Sequence, residues 1–76
     1  MTKYEIFDYD IWENEDGAYV NDVIPTGITI YTDASKASIC EKLGLDAPYK
    51  MDVNYNEDVI YIEYDGNPYC ELRKKD

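Results

Sequence analysis

The sequence contains no histidine, and this absence limits the chemistry available to the chain. Histidine is the commonest general base near neutral pH, because its ordinary pKa lies there. No glycine-rich phosphate loop, nucleophile elbow or Cys-x-x-Cys motif is present either. We therefore expect a protein without enzymatic activity, catalytic residues or a cofactor.

Long apolar runs are also missing, so no membrane span or signal-peptide core is predicted. Only two cysteines occur, Cys40 and Cys70, which is far fewer than a secreted disulfide framework needs. Both fall at positions expected to be buried. These features predict one small soluble intracellular domain over residues 1–76, without an association with membranes.

Basic residues are scarce, and the acidic ones are concentrated in two segments. Seven lysines and arginines face 17 aspartates and glutamates, which gives a net charge of −10. Residues 1–22 hold seven acids and one lysine, and residues 51–72 hold six acids and no base. Such a chain repels nucleic acid and anionic membranes, and it attracts proteins with a basic surface.

The densest acidic stretch, residues 8–22, has six carboxylates and no basic residue. Asn14, Asp16 and Gly17 match positions 3, 5 and 6 of an EF-hand calcium loop. Trp12 and Val23 would then stand at positions 1 and 12, where oxygen ligands are required. Because a hairpin turn explains the matching residues, we expect no metal site.

Nine tyrosines and many β-branched residues indicate a strand-rich fold. We predict an α+β domain with an antiparallel sheet of five or six strands, one helix packed on one face, and the order βββαβββ. Pro25 and Gly27 are expected to separate the second strand from the third. Ala37, Ile39, Cys40 and Leu43 are the expected inner face of the helix. The predicted strands cover 3–12, 18–24, 28–32, 51–55, 59–64 and 68–73, and the predicted helix covers 33–45.

The register of the last three strands follows from their alternating pattern. A three-residue loop at 65–67 sets Ile62 against Cys70 and Ile60 against Leu72, whereas a two-residue loop would mix core with surface. By the same reasoning Tyr55 faces Ile60 around the connection 56–59.

This register sets Asp52 opposite Glu63, and Tyr61 opposite both Asn54 and Glu71. Like charges directly across a sheet are destabilising. The pair is consistent with selection for a binding surface, or with an acidic surface that solvent screens. Trp12 and Phe7 are expected in the core, whereas Tyr31, Tyr61 and Tyr69 fall on the exposed phase of their strands.

Exposed tyrosines among carboxylates are typical of protein interfaces. We therefore predict a partner-binding surface for a basic protein. Its expected members are Asp52, Asn54, Tyr61, Glu63, Tyr69, Glu71, Asp8, Asp10, Glu13, Glu15 and Asp16.

Two stretches resemble a family of small phage and prophage proteins. The start resembles their Tyr-Asp-x-Trp-x-Asn-x-x-Asp-Gly and Val-Asn-Asp pattern, although the spacing from Asn14 to Asp16 is one residue shorter. The end resembles their Gly-x-Pro-x-x-Glu-Leu-Arg close. The matching positions are Tyr9, Asp10, Trp12, Asn14, Gly17, Val20, Asn21, Asp22, Gly66, Pro68, Glu71, Leu72 and Arg73.

The resemblance implies a phage context and action in the host cytoplasm, but it assigns no activity to any residue. Combined with the acidic surface, it leads to the expectation of an inhibitor of a host defence complex such as a CRISPR effector. The alternative is a small acidic structural or regulatory phage protein that self-associates.

Overall fold

Five antiparallel strands and one helix make up residues 1–75, the part of the chain that the computed structural model describes. One sheet contains all five strands in the order β2-β1-β5-β4-β3. A short 3-10 turn at Pro48–Lys50 leads into β3. The strands are β1 (Thr2–Asn14), β2 (Gly17–Thr32), β3 (Met51–Asn56), β4 (Val59–Tyr64) and β5 (Asn67–Lys74), and helix α1 spans Lys36–Lys42.

The α+β class with one antiparallel sheet and one helix is confirmed, but the predicted order βββαβββ is wrong. The two strands expected on either side of Pro25 and Gly27 form one strand, β2, and the order is ββαβββ. The pairing of β1 with β2 shifts register between Glu5 and Phe7. β2 lies at the sheet edge, where proline is tolerated because its missing N–H faces outward.

The core is a cluster of buried side chains from α1 and the sheet. Ile39 and Cys40 of the helix are buried in the same cluster as residues of β1, β3, β4 and β5. The strand members of the cluster are Tyr4, Met51, Ile60, Ile62, Cys70 and Leu72. The side of the sheet that carries these residues is called the core face below, and the opposite side is called the open face.

Helix α1 is shorter than the predicted 33–45, and hydrogen bonds cap both of its ends. Ser35 is the N-cap, and its Oγ accepts a hydrogen bond from the Ser38 N–H at 3.2 Å. At the other end the Leu45 N–H donates to the Cys40 carbonyl and the Gly44 N–H donates to the Glu41 carbonyl. These two bonds make a Schellman ending.

The pairing of Ile62 with Cys70 and of Ile60 with Leu72 is confirmed, but the expected three-residue loop is wrong. Tyr64 pairs with Asn67 around a two-residue loop. Asp65 and Gly66 both have positive φ, as a type I′ turn requires. The register shift after Ile62 leaves Tyr69 as an extra residue, and this bulge restores the core pairing. The expected pair of Tyr55 and Ile60 is present.

The β1–β2 hairpin extends well beyond the rest of the sheet. β1 pairs with β5 only from Tyr4 to Asp8, and its remaining residues pair with β2 alone. Residues 9–23 therefore form a two-stranded ribbon, called the arm below, around a turn at Glu15 and Asp16. The molecule measures 40 × 25 × 21 Å. Within residues 1–75, no helix is long and apolar enough to cross a membrane.

Candidate functional site

Four of the predicted site residues meet on the open face of β3 and β4. The register sets Asp52 opposite Glu63 and Asn54 opposite Tyr61, as predicted. All four side chains are exposed. Together with Val53 they line a shallow depression of about 320 Å³.

The depression contains two carboxylates and no positive charge of its own. Neither Asp52 nor Glu63 takes part in a salt bridge with any residue of the described range 1–75. Directly opposed side chains in antiparallel strands have Cβ atoms about 4.5–5.5 Å apart, so the two carboxylates repel each other. A cation bound between them would remove this repulsion.

Glu71 lies beside this surface but is not part of its exposed layer. Only 5% of the residue is exposed, and its carboxylate accepts hydrogen bonds from the Tyr9 O–H at 3.1 Å and the Arg73 Nε at 2.7 Å. The Arg73 guanidinium in turn lies 4.1 Å from the centre of the Phe7 ring. Glu71 is thus neutralised internally, which corrects its expected place on the exposed surface.

The same contacts affect the Tyr9 phenol. Burial is the largest cause that raises the pKa of Tyr9, followed by the hydrogen bond to the Glu71 carboxylate and the negative charge of that group. Tyr9 therefore remains a neutral donor throughout the physiological pH range.

Tyr69 is exposed as predicted, but it does not join Tyr61. The bulge in β5 turns its ring toward Tyr64, with ring centroids 6.0 Å apart, and Tyr64 packs against the core cluster. Burial is the largest cause that raises the pKa of Tyr69, followed by electrostatic interactions with Cys70 and Asp8. The expected alternation along β5 did not allow for this extra residue.

The five acidic residues predicted in the N-terminal segment occupy three different places. Asp8 pairs with Cys70 and therefore lies on the core face, and Asp10 follows it on the same side of β1. Glu13 lies on the other side of the arm, and Glu15 and Asp16 form the turn. The eleven predicted residues thus do not form one continuous surface.

Three exposed residues of the arm were not predicted as site members. Trp12, expected in the core, is 54% exposed and pairs with Tyr19. Asp22 lies directly opposite Asp10, which makes a second like-charge pair. The bulge at Asn21 sets this register, so alternation alone could not reveal it. The absence of lysine and arginine from residues 4–35 was the signal in the sequence that could have indicated a site on the arm.

Metal ligation and thiol chemistry depend on how the acidic and cysteine side chains are arranged. No group of three or more histidine, cysteine, aspartate or glutamate side chains within residues 1–75 is arranged to hold a metal ion. Burial raises the pKa of the Cys70 thiol to about 12, so this thiol is not a nucleophile at neutral pH.

The chain matches no protein-family model, and no curated protein or solved structure matches it at a significant level.

Proposed function

We propose that this protein is a non-enzymatic, phage-encoded inhibitor that binds a basic nucleic-acid-binding surface of a host defence complex. A CRISPR effector is one example of such a target, and the site of action is the host cytoplasm. The observation that carries the proposal is the like-charge pair of Asp52 and Glu63 beside the exposed Tyr61 ring. Neither carboxylate forms a salt bridge within residues 1–75. Arginine or lysine of a partner would relieve the repulsion, while Tyr61 would supply contact area.

The spacing of charge along the molecule supports competition with nucleic acid. A net charge of −10 over the 40 Å long axis corresponds to about one charge per 4 Å, whereas one DNA strand carries about one per 3.4 Å and a duplex one per 1.7 Å. The protein therefore matches the charge density of a single strand better than that of a duplex. It would occupy part of a basic channel.

The second candidate is a small acidic structural or regulatory phage protein that self-associates. The long edge strand β2 favours it, because Ile24, Ile28 and Tyr31 are exposed there. An exposed strand edge is a template for pairing with another chain. Two features oppose self-association. The high net charge makes two copies repel each other, and the irregular β-strand pairing near Pro25 disfavours regular pairing of the β2 edge with a second copy.

Capture from nuclease-treated host lysate, in low and in high salt, tests the proposed function. We expect immobilised protein to retain a nucleic-acid-binding complex that high salt or added single-stranded DNA releases. Asp52→Asn and Glu63→Gln should weaken capture, mostly by slowing association, while leaving the free domain equally or more stable. Tyr61→Ala should instead speed dissociation, with a loss of about 1–2 kcal/mol or more in binding free energy.

Asp46→Asn is the matched control, because it makes the same change in net charge at an exposed loop position outside the depression. It should reduce capture less than Asp52→Asn does. The proposal is contradicted if capture changes neither with salt concentration nor with the substitutions at Asp52, Glu63 and Tyr61. Recovery of copies of this chain alone, with a dimer in sedimentation, supports self-association instead.

A further inference from the structure

The arm exposes an aromatic pair on the side away from the open face. Trp12 and Tyr19 are directly paired, and their ring centroids are 6.0 Å apart at an interplanar angle of 63°. The exposed fractions are 54% for Trp12 and 45% for Tyr19. Exposed aromatic rings of this size on a narrow ribbon are costly in water, because about half of the surface of each residue stays uncovered.

Three carboxylates accompany the aromatic pair. Asp8 and Asp10 precede Trp12 at alternate positions of β1, so these two carboxylates project from the same side of the strand as the Trp12 ring. Asp22 lies opposite Asp10 on the same side. None of the three is in a salt bridge with residues 1–75, and no lysine or arginine occurs between positions 4 and 35. These five residues are called the arm surface.

Neighbouring groups hold two of the carboxylates in position. Asn21 Nδ2 donates to Asp10 Oδ2 at 3.0 Å, and the Val23 N–H donates to Asp22 Oδ1 at 2.9 Å. Each of these carboxylates keeps an oxygen available for another donor. Oriented acceptors lose less conformational freedom when they bind a partner.

The arm surface is separate from the depression on the open face. Asp8 pairs with Cys70 on the core face, whereas Phe7 pairs with Glu71 on the open face. The two surfaces thus leave the sheet on opposite sides where β1 meets β5. An occupant of one need not touch the other.

We propose that the arm surface binds an arginine-bearing basic segment of a partner protein. A guanidinium group stacks on Trp and Tyr rings and also forms paired hydrogen bonds with a carboxylate. Residues two apart on a strand are about 7 Å from each other, so an arginine stacked on Trp12 reaches Asp10. A second copy of this chain is a poor occupant, because its own arm carries the same negative charge.

Fluorescence of the protein itself provides the test, because Trp12 is the single tryptophan of the chain. The probes are a short oligoarginine peptide, an oligolysine of the same length and a neutral glycine–serine peptide. We expect oligoarginine to change Trp12 emission in a saturable way. Oligolysine should bind with several-fold lower affinity, and the neutral peptide should leave the emission unchanged. Salt should weaken the oligoarginine response.

Substitutions locate the binding. Tyr19→Ala and Asp10→Asn should each lower oligoarginine affinity about two- to fivefold, the range of exposed cation–π and ion-pair contacts. Asp46→Asn and Tyr49→Ala are matched controls at exposed positions outside the arm and should retain full affinity. Circular dichroism checks that each variant folds.

Three results would overturn the inference: unchanged Trp12 emission, equal binding of oligolysine, or equal losses for Asp10→Asn and Asp46→Asn. The last would show an effect of net charge alone. Asp52→Asn on the open face should not alter the Trp12 response. Failure here therefore leaves the proposed function standing, and failure of lysate capture leaves the arm surface standing.

Discussion

Glu71 shows how neighbouring side chains change the role of one residue. Its position in β5, opposite Tyr61, places it on the open face as the alternation predicts. Tyr9 and Arg73 nevertheless cover and neutralise it. Arg73 lies two positions further along β5, whereas Tyr9 comes into reach only when β1 pairs with β5. The residue is therefore a buried link between strands.

Removal of the Tyr9 hydroxyl should destabilise the domain. Tyr9→Phe leaves the buried Glu71 carboxylate with Arg73 as its remaining side-chain partner, and we expect a loss of about 1 kcal/mol in the free energy of unfolding. Urea unfolding measures it. Tyr31→Phe is the control, because Tyr31 is exposed and its hydroxyl makes no side-chain hydrogen bond within residues 1–75. A change within about 0.5 kcal/mol is expected there. Equal effects of the two variants would contradict the role of Tyr9.

Helix α1 shows that local signals can be sufficient for an element. Ser35 begins the helix, and Gly44 follows its last residues with a φ of +70°. This left-handed conformation costs little only for glycine. Both signals lie within a few positions of the helix and need no distant partner.

Gly44→Ala should cost about 1 kcal/mol of unfolding free energy. A Cβ at this position meets no atom within 4 Å, so the cost arises from the backbone conformation alone. Gly44→Asn should recover part of the loss, because asparagine tolerates the left-handed region better than alanine. Thermal or urea unfolding of the two variants checks the order. Equal stability of Gly44→Ala and the parent protein would rule out a strained C-terminal cap.

The net negative charge acts on the molecule as a whole and not through one contact. Two like-charge pairs, Asp52 with Glu63 and Asp10 with Asp22, lie directly across paired strands, and the net charge is −10. Self-repulsion on this scale destabilises a compact state. Stability and binding to a basic partner should therefore respond to salt in opposite directions.

We expect the free energy of unfolding to rise with sodium chloride, because the screening length shortens from about 30 Å at 0.01 M to about 3 Å at 1 M. The double variant Asp10→Asn, Asp52→Asn should be more stable at low salt and should gain less from added salt. Urea titrations at several salt concentrations provide the comparison. A stability that falls as salt rises would show that attractive ion pairs outweigh the repulsion.

The sequence by itself determined the features that depend on near neighbours or on regular alternation. These include the α+β class, the presence of the helix, the buried cysteines, and the pairing of β3, β4 and β5 that brings Asp52 opposite Glu63. Alternation is sufficient there because a shift of one residue would expose every core side chain.

Only the tertiary structure decided the features that depend on bulges and on strands distant in sequence. An extra residue reverses the side to which a chain segment points, and the bulges that turn Tyr69 toward Tyr64 and pair Asp10 with Asp22 have no local signature. β5 likewise pairs with β1 only as far as Asp8, so the arm has two strands alone. For that reason Trp12 lies at the surface although its residue type favours a core.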